Sequence, residues 1–281
     1  IMVSLIACFL NSIGKLIPKP HSYHTHAFGL PLPQAFHRSV DPAWLEEFEE
    51  ILVIGDVHGC YDELKLLLKK ANAEEDSVLK IFVGDLVNKG PKSREVLNLL
   101  MNSTSMVSVR GNHDEVVLRE YFESKNPNYK LSPENAWIND LRMDEVRYLV
   151  ELPYTISLPS LNTIIVHAGL LPGMPLESND IMDMVVMRNI IVSDYFWDGG
   201  LLATKNPKKG EPWASLWRGP QHVYFGHDAK RMLQCYSHAT GLDTGCVYGN
   251  WLTGVFIKGK RKGEFVKQDA LKTHKKTKSK D

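Results

Sequence analysis

Five short apolar runs in this chain each lead into a glycine-containing cluster of side chains that can bind metal. Ile51-Leu52-Val53-Ile54 runs into Gly55-Asp56-Val57-His58-Gly59, and the run Val78 to Val83 leads into Gly84-Asp85. Met106 to Val109 precedes Arg110-Gly111-Asn112-His113-Asp114. Thr163 to Val166 precedes His167-Ala168-Gly169, and Val223-Tyr224-Phe225 precedes Gly226-His227. A short continuous apolar run bounded by glycine reads as a strand buried on both faces. Helical patterns follow the first three. Tyr61, Leu64, Leu68 and Ala71 recur at spacings of three and four, Pro91 opens a helix through Leu99 and Leu100, and Glu115 to Glu123 makes a third. Strand, glycine loop and helix in repetition predict an α/β layer with strands at least partly parallel. Helix is also expected within Asn128 to Leu152, with Pro133 at a helix start, and around Ile181 to Met187. The segment Leu171 to Trp213 otherwise reads as irregular connection, and Cys246 to Tyr248 and Trp251 to Ile257 read as β.

In α/β sheets, ligands bind beyond the carboxyl ends of the strands, so these five loops are placed to converge. Their residue types fit divalent metal chemistry. Asp56 and His58 are two apart and can reach one ion from an extended loop tip. Oxygens from Asp56, Asp85 and Asn112, mixed with imidazoles from His58, His167 and His227, suit Mn²⁺, Fe or Zn²⁺ better than a thiolate-loving metal. Six donors exceed one tetrahedral site, whereas two ions bridged by one carboxylate, with Asp85 the natural bridge, use them all. Glycines let the backbone approach closely. Taken singly, a Gly-Asp pair is a turn and a histidine is a core residue; five clusters, each ending a separate apolar run, point to a site.

These motifs resemble those of the calcineurin-like metallophosphoesterases, in the branch that holds the phosphoprotein phosphatases and the diadenosine tetraphosphatases (ApaH type). The branch's motifs GDxHG, GDxVDRG, GNH[ED], H[AG]G and a late GH correspond, in order, to 55–59, 84–90, 111–114, 167–169 and 226–227. The resemblance spans about residues 50 to 257. It implies a two-sheet β-sandwich flanked by helices, α/β/β/α. It assigns Asp56, His58 and Asp85 to a first divalent ion and Asp85, Asn112, His167 and His227 to a second, with His113 as general acid. Arg218 in Trp217-Arg218-Gly219 resembles the family's later phosphate-binding arginine. Arg110 matches the pattern too, with a structural ion pair as its alternative.

The chain departs from the protein phosphatases at Asn88-Lys89-Gly90, where they carry Asp-Arg-Gly. Asn88 can orient His113 through its carbonyl but supports an imidazolium less than a carboxylate does. Lys89 binds phosphate as a point charge without the bidentate fork of arginine. Asp114 and Gly90-Pro91 echo the ApaH group. The reaction this implies is in-line attack on phosphorus by a hydroxide bridging two metals, with Lys89 and Arg218 holding phosphate and His113 protonating the leaving oxygen. An anhydride leaves easily, so the Asn88 substitution favours dinucleoside polyphosphates, the triphosphate bridge of capped RNA and inorganic polyphosphate over phosphoproteins. A Ser/Thr protein phosphatase is one alternative. Another is a non-catalytic scaffold that retains the fold, against which the intact ligand set argues.

Composition adds limits. With 281 residues, 43% hydrophobic and 23% charged, the chain can build a sizeable core and is not disordered over most of its length. The zero formal charge is uneven, with about +7 from Lys258 to Asp281 and about −7 before it. The expected organisation is a poorly ordered arm over 1–48, a catalytic domain over 49–257 and a basic tail over 258–281. That tail can contact a polyanion such as RNA or polyphosphate. His21, His24 and His26 read as solvated. Cys8, Cys60, Cys235 and Cys246 lack metal or Cys-x-x-Cys spacing, which suits free thiols in a reducing, cytoplasmic compartment. The apolar run Met2 to Leu10 is too short to span a membrane but leaves a targeting or anchoring role open.

Overall fold

Glu50–Ile54 is buried on both sides because it runs between helices and a second sheet. In the computed structural model, which describes residues 29–192 and 200–276, it is the middle strand of a five-stranded sheet. The order is Phe265–Asp269, Trp251–Lys258, Glu50–Ile54, Val78–Phe82, Met106–Ser108. The last three are parallel, as the strand–loop–helix repetition predicts. A six-stranded sheet runs His37–Ser39, Thr155–Leu158, Thr163–Val166, His222–Phe225, Ala239–Gly241, Gln234–Tyr236. Its inner strands Thr163–Val166, His222–Phe225 and Ala239–Gly241 are also parallel.

Side chains alternate between two cores along each strand. Ile51, Val53, Leu79 and Ile81 meet Ile156, Leu158 and Ile165 between the sheets. Leu52, Ile54, Val78 and Phe82 instead pack with Leu64, Leu97, Leu118 and Leu149 of the helices Tyr61–Lys70, Ser93–Met101, Asn112–Glu123 and Met143–Glu151. On the far face of the six-stranded sheet, Val166, Val223 and Phe225 pack on Met184 and Trp213 from the helices Ile181–Val186 and Trp213–Leu216. The layering is α/β/β/α.

Several expectations change. The stretch Leu30 to Phe48 belongs to the body: Leu30, Leu32, Val40, Leu45 and Phe48 are buried, and His37–Ser39 adds a parallel edge strand to Thr155–Leu158. Its apolar residues lack any period because they enter three separate cores: Leu30 packs among the helices, Leu32 on the far face of the six-stranded sheet, and Val40, Leu45 and Phe48 between the sheets. Residues 1–28, with the three spaced histidines and the apolar run, lie outside the described residues. Much of the basic tail is also structural. Lys258 ends a strand, Phe265–Asp269 returns antiparallel to it, and Arg261 pairs with the Glu50 carboxylate while donating to Ala71 O at 2.5 Å. Cys246–Tyr248 is a 3-10 turn, not a strand, since Gly245 and Gly249 at its ends hold φ of 69° and 94°. The helical stretch before Leu152 divides into a 3-10 segment Pro133–Asp140 and the helix Met143–Glu151. Part of the expected irregular connection forms a small antiparallel sheet of Asn189–Val192, Leu201–Thr204 and Glu211–Pro212. No helix among the described residues is long and apolar enough to cross a membrane.

Candidate active site

Strands of both sheets deliver their carboxyl-end loops to one point. Asp85 lies at its centre, with Oδ2 3.3 Å from His58 Nε2 and Oδ1 3.4 Å from His167 Nε2. Asn112 Oδ1 is 3.0 Å from His167 Nε2 and 2.8 Å from His227 Nδ1. One donor atom from each of Asp56, His58 and Asp85 lies within 4.8 Å of the others. The six residues predicted as metal ligands therefore form one cluster, in which the two oxygens of Asp85 face different imidazoles.

Backbone carbonyls set the tautomers. His58 Nδ1 donates to Val87 O (3.3 Å), His167 Nδ1 to Val83 O (2.9 Å) and His227 Nε2 to Val186 O (3.1 Å). Each ring thus keeps one nitrogen lone pair aimed into the cluster, the arrangement that orients metal-ligating histidines. The supporting backbone is unusual: His58, Asp85, Asn88, Lys89 and His227 all have positive φ, between 48° and 74°. Such strain persists only where surrounding contacts over-determine it, and it gathers at functional sites. Glycine is required where carboxylates press on the chain. A Cβ on Gly111 would sit 2.2 Å from Asp85 Oδ1, and one on Gly226 would sit 2.0 Å from Asp56 Oδ1. Gly226→Ala is accordingly expected to displace the Asp56 carboxylate and weaken metal affinity about tenfold or more. Isothermal titration with Mn²⁺ measures this; unchanged affinity would contradict the cradle.

Burial makes the cluster demand positive charge. It raises the Asp56 carboxyl well above its usual range, with Asp243 and Asp85 adding to the shift, and it raises Asp243 as well. It also pushes His58 and His227 far below the ordinary imidazole value. Buried carboxylates and inward lone pairs are stabilised together by cations. Lys89 already meets that demand in part, since its ammonium lies 2.9 Å from His58 Nε2. The donor set therefore fits divalent ions.

His113 is held beside the cluster by its backbone N–H, which donates to Asp85 Oδ1 at 2.8 Å. Burial foremost pushes its imidazole down to about 4. Its Nδ1 is buried without a hydrogen-bond partner, so Asn88 does not orient it as expected. Asn88 Oδ1 instead accepts from Lys89 N (2.7 Å), and Asn88 N donates to Ser93 Oγ (3.0 Å). In the left-handed turn, the short amide side chain bonds to its own loop. Asp114 ties the loops together, accepting from Leu86 N, Val87 N and Gly111 N.

The cluster opens into a cleft of about 790 Å³ lined also by Lys89, Arg188, Lys230, Lys275 and Lys276. The arginine on this cleft is Arg188, not Arg218. Arg188 Nη2 donates to His227 O at 3.2 Å, whereas Arg218 is exposed just beyond the helix Trp213–Leu216 and does not line the cleft. Met187-Arg188-Asn189 carries no pattern that sequence reading could seize. Arg110 is fully buried, bonded to Tyr154 Oη (3.0 Å) and 3.7 Å from Glu115 Oε1. It is the structural ion pair, out of reach of any substrate. Asp243 also lines the cleft, and Leu242-Asp243-Thr244-Gly245 carries the aspartate-and-glycine signal at the end of another strand.

The sequence matches the description calcineurin-like phosphoesterase over residues 50–244, most of the chain. The chain belongs to that family. This phosphoesterase is a metal-dependent hydrolase, as its family is. It is 28% identical over 277 residues to the symmetrical bis(5'-nucleosyl)-tetraphosphatase of Coxiella burnetii, covering 78% of this chain and 92% of the relative. It is 30% identical over 228 residues to the asymmetrical bis(5'-nucleosyl)-tetraphosphatase of Halalkalibacterium halodurans, covering 72% and 88%. A crystal structure provisionally assigned as a diadenosine tetraphosphatase superposes on the phosphoesterase with TM-score 0.72 and 34% identity, over 84% of this chain and 99% of that one. A Saccharomyces cerevisiae serine/threonine phosphatase, at TM-score 0.54 and 14% identity over 95% and 89%, shares the fold.

Proposed function

We propose that this phosphoesterase hydrolyses the anhydride bridge of dinucleoside polyphosphates, the substrates named for its bacterial relatives. The observation that carries the preference for an anhydride is His113. Its buried, unpartnered Nδ1 disfavours an imidazolium, because protonation there would bury an N–H with no acceptor. The neutral ring then offers Nε2–H, which can hydrogen-bond to a departing oxygen but supplies less proton than an imidazolium. A phosphate leaving from an anhydride needs little more, whereas an alkoxide leaving from a phosphoester needs full protonation.

Asp56, His58 and Asp85 would hold one divalent ion, and Asp85, Asn112, His167 and His227 the other. Mn²⁺, Fe and Zn²⁺ suit this mixed oxygen and imidazole set. When bound, such ions supply Lewis-acid neutralisation of the phosphate oxygens. Lys89 and Arg188 are placed to grip the remaining oxygens, the arginine fork providing the bidentate contact that lysine lacks. Hydrolysis forms a bond from water to phosphorus and breaks the bond to the bridging oxygen, beside which His113 donates. Lys230, Lys275 and Lys276 line the cleft and fit a substrate with several phosphates, polyphosphate or capped RNA included.

Turnover of diadenosine tetraphosphate, capped RNA, inorganic polyphosphate and a phosphopeptide, each measured with Mn²⁺, tests the proposal. Diadenosine tetraphosphate is expected to have the highest kcat/KM. A phosphopeptide turned over faster would make the chain a protein phosphatase. No turnover of any of the four would make it a scaffold.

A further inference from the structure

A second cavity, of about 680 Å³, adjoins the catalytic cleft and shares Lys89 with it. The C-terminal segment borders both, with Lys272, Thr273 and His274 on the groove and Lys275 and Lys276 on the cleft. That segment is fastened firmly. His274 N and Lys275 N donate to Val247 O at 3.1 and 2.9 Å, and His274 Nε2 lies 2.7 Å from the buried Glu63 carboxylate. Lys275 forms an ion pair with Glu134 on the groove side. A rim of Lys89 and Lys275 therefore separates two connected spaces. The groove is lined by the half-buried ring of Trp137, which packs against the helix-side core, by the exposed Pro91 and Pro133, and by Lys272 and Arg94.

Resting on the function proposed above, we infer that this groove is a nucleoside subsite. The polyphosphate chain crosses the rim at Lys89, and the far nucleobase lies against Trp137. Three features converge on this occupant. A flat aromatic ring set among rigid prolines offers a stacking platform at little entropic cost. Lys89 and Lys272 put positive charge on the groove, where the Glu134 carboxylate is paired with Lys275 and Glu95 is the other acidic lining residue; the cations match the charge of a phosphate chain. The volume falls within the range of small-molecule sites, about 300–1,000 Å³. A phosphate monoester held at the cluster has nothing to reach the groove, whereas a dinucleotide has a second base to place there.

Three substrates separate the parts: diadenosine tetraphosphate, inorganic tripolyphosphate (chain without base) and p-nitrophenyl phosphate (neither). For Trp137→Ala, the ratio of kcat/KM for diadenosine tetraphosphate to that for each of the other two is expected to fall about tenfold or more, mainly through KM. Trp137→Phe, which keeps a ring, should restore most of the ratio. Lys272→Ala, at an exposed position, should lower it less. An unchanged ratio overturns the inference: with an equal loss on all three substrates the ring is only packing, and with no loss on any of them the base lies elsewhere. Wild-type protein that cleaves p-nitrophenyl phosphate but not diadenosine tetraphosphate would instead refute the proposed function, and the subsite with it.

Discussion

Asp85→Asn is expected to lower kcat/KM by about a thousandfold or more and to cut bound metal from two ions per chain to one or none. The reason lies in how the carboxylate divides, one oxygen toward His58 and the other toward His167. An amide keeps a single oxygen, so one side of the pair must face an N–H, which cannot ligate a cation. Two imidazoles then lose their shared anionic neighbour at once. The fold should survive, since the amide oxygen can still accept from His113 N. In the metal-free state the variant is expected to melt close to wild type, because two changes oppose each other. Removing the Asp85 charge relieves Asp56 and Asp243, whose carboxyls burial raises, but it also forfeits the attraction of His167, His58, His113 and Lys89 that holds the Asp85 carboxyl below its usual range. Metal content by elemental analysis and melting in chelator measure the two halves. A variant that keeps two ions per chain would refute the bridging role of Asp85.

Arg188→Ala should cost about a hundredfold in kcat/KM, whereas Arg218→Ala should stay within about twofold. Arg188 lines the cleft near His227, and among the described residues its loss removes the guanidinium fork from that cleft. Stability should change little, because Asp228, which Arg188 approaches at 3.6 Å, keeps its pairing with Arg231 at 2.5 Å. Arg188→Lys keeps the charge without the fork and is expected to recover part of the loss. Steady-state kinetics on diadenosine tetraphosphate decide the matter. A large defect in Arg218→Ala with none in Arg188→Ala would return the phosphate contact to the residue suggested by sequence alone.

The metal cluster was legible because its signal is local. Each of these six side chains sits one to four residues beyond an apolar run that reads as a strand, and strands of one sandwich place their carboxyl ends together. Asp56, His58, Asp85, Asn112, His167 and His227 converge for that reason. Asp243 carried a similar signal, weakened by the short, partly polar strand Ala239–Gly241 before it. Arg188 carried none, since its neighbours are ordinary residues between a helix and a strand. Arg110 illustrates the converse. It sits in a catalytic motif, yet Tyr154 and Glu115, distant in sequence or a turn away, turn its guanidinium inward.

Asn88 and the two ends of the chain follow the same division. The residue type at 88 was known, but its carbonyl bonds to Lys89 N because of a left-handed turn that residue types alone do not specify. The strand His37–Ser39 exists because the edge of Thr155–Leu158 was available to pair, and the Arg261 pairing with Glu50 exists because Trp251–Lys258 lies beside Glu50–Ile54. Sequence by itself determined the strands and helices that carry the motifs, the motif order and the family, all of which depend on hydrophobic period and glycine placement among near neighbours. Tertiary structure decided which cation reaches the cleft, what holds His113, and that a C-terminal segment borders the cleft. Those outcomes depend on contacts between residues far apart in the chain, whose energies do not exist until the sandwich has formed.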